Sequence, residues 1–246
     1  MKSFDPAIME VLAQCGPDFL VVDQQHRPLS PTALESVILA ARLYTIPVLV
    51  RIENHERATI NTALDQGGLG VVAPAVGSAQ EAASIVRSSL YKKGERGFSP
   101  STAANGYGAL PTDEYKELAD AANIVIVQIE TVSGLAAAQE IASTPNLDGV
   151  FIGPVDLAHA LEKAPDEARN LPEAIDAILA AGENASTPVG IFAAAPAQLA
   201  EYRDTSMQYF VVGTDHSMVR QQGEAVLADV RNTLSSSKIT LEGQQK

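Results

Sequence analysis

Short runs of aliphatic and β-branched residues recur along the chain, and a stretch with helical spacing follows each of them. Continuous apolar runs that alternate with amphipathic helices are typical of parallel strands covered on both faces. In one of the intervening stretches, Leu34, Val37 and Ala41 fall on the same helical face. The predicted strands are residues 19–22, 47–52, 69–74, 124–130, 149–153, 188–193 and 209–213.

This pattern predicts an α/β fold, a TIM (β/α)8 barrel whose first strand is hard to find. A closed barrel of this kind needs eight strands, and helix-like residues begin at about Asp5. We therefore expect that the first strand is either missing or reduced to a vestigial strand over residues 1–4. An open doubly wound sheet is the alternative. Polar residues follow the strands along the whole chain, which favours the barrel, because an open sheet concentrates them at one switch point.

Length and composition agree with one globular domain. The chain has 246 residues, of which 46% are hydrophobic and 19% are charged; a single barrel commonly has this size. We expect a single barrel domain over residues 1–234 and a polar tail over residues 235–246. The irregular stretch from about residue 92 to 111 is long for a compact domain and is expected to be functional.

The charge of the chain restricts its partners. A formal net charge of −13 argues against nucleic acid and anionic membranes, both of which need clustered Lys and Arg. No apolar run is long enough to cross a bilayer. The first residues lack the pattern of a signal peptide, and the single Cys15 cannot form an internal disulfide, so the expected compartment is the cytoplasm. The expected partner is a small molecule or another copy of the chain.

Polar residues at the strand ends supply the candidate chemistry. Glu130 and Asp156 follow adjacent strands, so their carboxylates can meet around one cation at the barrel mouth. Two carboxylates, completed by water and substrate oxygens, suit a hard ion such as Mg²⁺ or Mn²⁺. An unpaired carboxylate is costly at the end of an apolar strand, which weakens a purely structural interpretation of Glu130. The other strand-end residues are Asp23, His26, Arg51, Gln128 and Asp215, the last interpreted more readily as a helix cap or solvated loop residue.

Other mechanisms lack support in the sequence. None of the lysines ends a predicted core strand, whereas a Schiff-base aldolase needs a desolvated lysine inside the barrel. There is no glycine-rich dinucleotide fingerprint after a strand and no P-loop. A serine hydrolase would need a nucleophile elbow, which is also absent.

A series of motifs resembles the HpcH/HpaI aldolase family. The resemblance covers roughly residues 8 to 225, and the motifs occur in the family's order with compatible spacing, which makes the signal specific. The motifs are Asp23-Gln-Gln-His26, Val50-Arg51, Leu64-Asp65-Gln-Gly67, Gly94-Glu-Arg96-Gly97, Gln128-Ile-Glu130-Thr131, Phe151-Ile-Gly-Pro-Val-Asp156-Leu157 and Val212-Gly213-Thr-Asp215.

The resemblance implies a class II pyruvate aldolase of the phosphoenolpyruvate/pyruvate barrel superfamily. Such enzymes cleave 2-keto-4-hydroxy acids into pyruvate and an aldehyde. Glu130 and Asp156 match the metal ligands, so the implied cofactor is a divalent ion, Mg²⁺, Mn²⁺ or Co²⁺. Gln128 matches an amide near the metal and the substrate, and Arg51 matches the arginine that contacts the keto oxygen of pyruvate.

The resemblance also implies acid–base groups and an assembly. His26 with Asp23 matches the acid–base pair of the family. Asp65 matches an acid that a neighbouring subunit supplies to the site, which implies a homo-oligomer, a hexamer or a trimer. Gly153 and Pro154 are expected to let the chain approach the substrate carboxylate closely.

Enolate chemistry is consistent with these residues. Retro-aldol cleavage leaves pyruvate as an enolate, so negative charge develops on the C2 oxygen. A divalent cation and Arg51 beside that oxygen would stabilise the transition state more than the ground state. Two alternatives stay open. One is an enzyme resembling macrophomate synthase, which decarboxylates oxaloacetate and uses the enolate to form a carbon–carbon bond; the other is a degenerate, non-catalytic oligomeric barrel.

Overall fold

A parallel sheet of seven strands lies at the centre of the molecule. The computed structural model describes residues 1–164, 167 and 169–242, and their side chains as far as residue 235. Each strand pairs in parallel with its sequence neighbours, in the order β1 to β7. The strands are β1 Leu20–Asp23, β2 Val48–Arg51, β3 Gly70–Ala73, β4 Ile124–Ile129, β5 Gly149–Ile152, β6 Val189–Ala193 and β7 Tyr209–Val212.

Helices connect the strands and cover the outside of the sheet. Two short 3₁₀ segments, Ala103–Asn105 and Pro196–Tyr202, lie between β3 and β4 and between β6 and β7. The α-helices are α1 Pro6–Gln14, α2 Pro31–Arg42, α3 Arg57–Asp65, α4 Ala79–Ser89, α5 Thr112–Ala122, α6 Val132–Ala136, α7 Ala138–Ala142, α8 Pro154–Glu162, α9 Leu171–Ala185 and α10 Asp215–Glu242.

The structure confirms the barrel prediction. All seven predicted strands are present, and their ends differ from the predicted ones by at most one residue. The strand order follows the chain without a reversal, which rules out the doubly wound alternative, because that fold reverses its order at a switch point. The sheet is a nearly closed barrel with its helices outside.

Side-chain alternation along the strands divides the core in two. Successive residues of a strand point to opposite faces, so Val50 packs outward against the helices whereas Leu49 points into the barrel. The outer core is the larger and joins strands and helices. The buried members of the inner core are Leu49, Val72, Ile126 and Phe151.

The first residues occupy the gap between β1 and β7. The N-terminal ammonium of Met1 donates to the carbonyl oxygen of Val21, and the N–H of Asp23 donates to the carbonyl oxygen of Met1 at 3.0 Å. This pair of hydrogen bonds is the pattern of a parallel strand pair centred on Met1 and Val22. The finding agrees with the expectation of a vestigial first strand.

Asp215 attaches this segment to the other side of the gap. Its carboxylate accepts the backbone N–H of Lys2 at 2.7 Å and that of Ser3 at 2.6 Å. Burial by itself raises the pKa of Asp215, but these hydrogen bonds outweigh it and hold the pKa at about 2. Asp215 is thus a structural residue, but it is buried and binds the backbone of the first residues, so it is neither the helix cap nor the solvated loop residue that the sequence suggested.

The last helix leaves the barrel. From His216 to Ser235, every residue of α10 except Ser217 is exposed. The predicted boundary between domain and tail at residues 234 and 235 falls inside this helix, which continues to Glu242. Residues 243–246 of the predicted tail lie outside the described residues, and the division itself stays a prediction. Within the described part of the chain, no helix is long and apolar enough to cross a membrane.

Replacement of Asp215 by asparagine should destabilise the fold by about 1–2 kcal/mol at pH 7, because one charged acceptor for two backbone donors is lost. The pKa of Asp215 is lower in the folded state than its ordinary 3.8. Its charge therefore stabilises the fold above pH 3.8, and this contribution disappears as the pH falls through about 2. Urea denaturation at several pH values measures the difference between variant and wild type.

The matched control is Asp204→Asn, which changes an exposed carboxylate and should alter the free energy of unfolding by less than about 0.5 kcal/mol. If the difference in free energy of unfolding between Asp215→Asn and the wild type stays constant from pH 7 to pH 2, the ionised carboxylate does not stabilise the attachment of the first residues.

Candidate active site

A cavity of about 200 Å³ opens at the carboxyl ends of the strands. Apolar residues of the inner core form its deeper wall, and polar residues form its rim. Glu130 lies behind the rim, buried beside Gln128. Seven of the residues predicted for the site line the cavity: Asp23, His26, Arg51, Gln128, Gly153, Pro154 and Asp156.

Asp23 and Arg51 form a two-point ion pair at adjacent strand ends. They are paired in the register of β1 and β2, and Arg51 donates from Nε to Oδ1 at 3.0 Å and from Nη2 to Oδ2 at 2.7 Å. Burial by itself raises the pKa of Asp23, but the hydrogen bonds and positive charge of Arg51 outweigh it and keep the pKa below its ordinary value. The guanidinium is thereby fixed in orientation at the cavity wall.

His26 lies on the rim in a turn that Asp23 organises. The Oδ1 atom of Asp23 accepts the backbone N–H of Gln25 at 3.1 Å and that of His26 at 3.3 Å. We expected the Asp23 carboxylate to orient the imidazole. The structure instead directs it to Arg51 and to the backbone of the turn, and the His26 side chain is exposed.

Glu130 and Gln128 form a buried pair at the end of β4. The Gln128 amide donates to Oε2 of Glu130, and the backbone N–H of Ala75 donates to Oε1 at 2.8 Å. Burial raises the pKa of Glu130, and the negative charge of Asp156 raises it further. The negative charge of Asp156 thus acts on Glu130, and the meeting of the two carboxylates around one cation stays a prediction.

The residues around Glu130 fit a hard cation. Asp156 is exposed in the first turn of α8, and the Oε1 atom of Gln128 is buried without a hydrogen-bond partner. Two carboxylates and an amide oxygen are the donors that Mg²⁺ and similar ions prefer. Among the described residues, no cluster of three or more His, Cys, Asp or Glu side chains is arranged to hold a metal, so such an ion would need water or substrate as further ligands.

A family model described as HpcH/HpaI aldolase/citrate lyase matches residues 1–221. The chain belongs to this family. A hydroxypyruvate/pyruvate aldolase of Paraburkholderia phytofirmans is 33% identical over 235 residues, which cover 92% of this chain and 89% of the relative. A 5-keto-4-deoxy-D-glucarate aldolase of Klebsiella pneumoniae is 33% identical over 88% of this chain and 84% of the relative.

A solved structure shows the same architecture. The crystal structure of an HpcH/HpaI aldolase/citrate lyase family protein from Burkholderia cenocepacia matches with a TM-score of 0.86 and 30% identity, covering 94% of this chain and 92% of that one. The similarity of sequence and of fold confirms both the resemblance and the expected enzyme class, a lyase.

Asp65 lies away from the other predicted site residues of this HpcH/HpaI family protein. It is the last residue of α3, five residues before β3 begins, and so it lies near the opposite end of the barrel from Arg51. There Oδ1 accepts a hydrogen bond from Nη2 of Arg96 at 2.7 Å, and the Arg96 side chain is only 1% exposed. Within one chain, Asp65 therefore does not reach the cavity.

The long irregular segment is also at this end. Arg42, which ends α2, donates from Nη1 to the carbonyl oxygen of Ala103 at 3.3 Å, and Tyr91 packs edge-on against Phe98 and Tyr115. The segment thus packs against the ends of the helices that face away from the cavity of its own chain. A functional role for it stays a prediction.

Sequence reasoning missed Lys2. It lines the cavity, its Nζ lies 3.8 Å from Oδ2 of Asp23, and its side chain is 35% exposed. The exclusion of lysines from strand ends therefore does not hold for the vestigial strand. Lys2 is nonetheless too exposed to be the desolvated lysine that a Schiff-base aldolase needs. A period-two pattern cannot be recognised in three residues, so the sequence offered no signal for this position.

Gly153 is required by the close approach of β5 and β4. A Cβ atom at this position would lie 2.6 Å from Nε2 of Gln128 and 2.6 Å from Oε2 of Glu130. Gly153→Ala should therefore lower the free energy of unfolding by about 1–3 kcal/mol, because both buried side chains must move. Chemical denaturation measures this change. The control is Gly223→Ala in α10, where a Cβ meets no atom within 4 Å, and equal stability of the two variants would refute the constraint.

Proposed function

We propose that this protein is a class II pyruvate aldolase that cleaves 2-keto-4-hydroxy acids into pyruvate and an aldehyde, with a divalent metal ion as cofactor. The observation that carries the proposal is the fixed Arg51 guanidinium, which lines the same cavity as Gln128 and Asp156, with Glu130 buried beside Gln128. The names of the two aldolase relatives support the same reaction class.

Arg51 is suited to stabilise the enolate oxygen. Its Nε and Nη2 atoms are occupied by Asp23, and among the hydrogen bonds of the described residues none involves Nη1. This nitrogen therefore remains available to a ligand in the cavity that Arg51 lines. As the bond between C3 and C4 of the substrate breaks, negative charge grows on the C2 oxygen. A preorganised donor at that oxygen lowers the activation free energy of the cleavage.

His26 is the candidate base for the C4 hydroxyl proton. Its exposed ring on the cavity rim can exchange protons with solvent, and histidine is the side chain that most often acts as a general base. Asp23 contributes by holding the backbone of the turn and the guanidinium of Arg51. We therefore assign Asp23 to positioning both groups. Pro154 begins α8, and Gly153 and Pro154 line the cavity beside the helix N-terminus, which suits a substrate carboxylate.

The donors around Glu130 define the cofactor site. Glu130 and Asp156 would hold the ion, with the Gln128 amide beside them. When bound there, Mg²⁺, Mn²⁺ or Co²⁺ supplies positive charge at the cavity wall as a Lewis acid. Such a cation would offset the burial and the negative charge of Asp156, which together raise the pKa of Glu130.

The alternatives have less support. No contact in the cavity favours oxaloacetate decarboxylation over aldol cleavage. A degenerate barrel has no need to keep a part-buried two-point ion pair and a buried Glu130–Gln128 contact at the cavity, since well-packed apolar residues of similar volume would serve stability equally well.

Aldolase activity is the direct test. With Mg²⁺ or Mn²⁺ the purified protein should release pyruvate from a 2-keto-4-hydroxy acid, followed with lactate dehydrogenase, and EDTA should abolish the activity. Arg51→Lys keeps the charge but loses the fixed two-point geometry, and it should lower kcat on the order of 100-fold. Arg87→Ala, which changes a half-exposed surface arginine, is the control. Full activity after chelation would exclude the metal, and an unchanged kcat in Arg51→Lys would exclude Arg51.

The proposal includes a cytoplasmic location and a small-molecule partner. Cys15 is free and exposed, which suits the reducing cytoplasm. The net charge of −13 argues against nucleic acid or an anionic membrane as the partner, and the proposed partner is a small 2-keto acid bound beside Arg51 and the metal ion.

We also propose that the protein works as a homo-oligomer, a hexamer or a trimer. The exposed face of α10 carries an apolar stripe at helical spacing, and the four residues of β7 are only partly buried. Asp65, remote from the cavity of its own chain, can reach a site only in a neighbouring copy. The stripe consists of Val219, Val226, Leu227, Val230 and Leu234, which are 48–67% exposed.

Negative charges introduced into the apolar stripe of α10 should dissociate the oligomer. The double variant Leu227→Glu with Val230→Glu places two carboxylates on the apolar stripe, so sedimentation velocity should give a smaller mass than that of the wild type. The control, Gln221→Glu with Ala228→Glu, adds the same charges to the opposite face of α10 and should leave the mass unchanged. A monomeric wild type, or equal masses for both variants, would refute the interface.

A further inference from the structure

The side chain of Lys2 faces the inside of the barrel. Met1 takes the position of a strand residue opposite Val22, and its side chain packs against the outer core. Because neighbouring residues of a strand point to opposite faces, Lys2 must point inward, and it lines the cavity. Its backbone N–H is held by the buried Asp215 carboxylate at 2.7 Å. The position of Lys2 is thus fixed by main-chain contacts, and its ammonium is left to act in the cavity.

Asp23 does not need Lys2 as a partner. Its Oδ1 atom already accepts hydrogen bonds from Arg51 and from the backbone of the following turn, and its Oδ2 atom accepts one from Arg51 at 2.7 Å. The Lys2 ammonium is 3.8 Å from Oδ2, which is longer than a hydrogen bond. An ion pair of this length with a one-third exposed partner contributes little to stability. The ammonium is therefore available to a ligand.

Lys2 lies across the cavity from the proposed cation site. If the vestigial strand counts as the first of eight positions, β4 with Glu130 is the fifth position, on the far side of the barrel mouth. Arg51 and the Glu130 side would take the pyruvate half of a substrate. The other half must then extend toward Lys2, past a wall of apolar side chains that includes Phe192 and Val211.

We propose that the Lys2 ammonium binds a carboxylate on the half of the substrate that becomes the aldehyde, so that Lys2 selects dicarboxylic substrates. This inference rests on the proposed aldolase function for the identity of the two halves. A lysine is well suited to the task, because its flexible stem can follow a carboxylate whose position depends on the length of the substrate.

Binding of matched ligands tests the proposal without turnover. Isothermal titration calorimetry in the presence of Mg²⁺ compares 2-oxoglutarate, which has a distal carboxylate, with 2-oxohexanoate, which has an apolar tail. The wild type should prefer 2-oxoglutarate, and Lys2→Gln should reduce the ratio of the two affinities about 10- to 100-fold, the worth of a charge-assisted hydrogen bond. Lys2→Arg should retain most of the preference. Lys163→Gln changes an exposed lysine at the end of α8 and is the control.

The outcomes separate the two proposals. If Lys2→Gln weakens both ligands equally, or neither, the assignment of Lys2 to a distal carboxylate is overturned while the aldolase proposal stands. If the selective loss is found but the wild type releases no pyruvate from any 2-keto-4-hydroxy acid, Lys2 stands as an anion-binding residue and the reaction is wrong. If the wild type binds neither ligand, both proposals fall.

Discussion

Neighbouring side chains in a strand point to opposite faces of the sheet, and in this barrel both faces are enclosed. Half of the strand residues must therefore fit the helices, and the other half must fit a narrow interior. Val50 joins the outer core while Leu49 and Arg51, on either side of it, belong to the interior and its mouth. The same constraint aims Lys2 inward from a segment too short to be a regular strand.

The mouth gathers charges that a buried environment tolerates only when they are balanced. Asp23 is balanced within the chain by Arg51, and its pKa is lowered as a result. Glu130 forms no ion pair with any residue that the structure describes, and burial together with Asp156 raises its pKa. One side of the cavity is therefore electrostatically complete and the other is short of positive charge. This asymmetry suits an enzyme in which one positive charge, that of Arg51, belongs to the chain and the other is that of a bound metal ion.

Much of this arrangement could be predicted from the residues. Continuous apolar runs gave the seven strands to within a residue, because strands buried on both faces have a strong signal. Strand ends brought Arg51, Gln128 and Asp156 to one cavity. The partner of Asp23 could not be predicted. The family resemblance implied an acid–base pair of His26 with Asp23, whereas β1 and β2 lie side by side and Arg51 takes the carboxylate.

The contact between the first residues and Asp215 has a consequence for biosynthesis. Every strand pair of the sheet joins neighbours in sequence, so the sheet can grow strand by strand while the chain emerges from the ribosome. The closing contact spans 213 residues, and it has no partner until almost the whole chain has been made. Until then, the first residues, already paired with β1, form an edge of the sheet that is open to any other extended chain, which makes the nascent barrel most vulnerable to mispairing at the segment that carries Lys2.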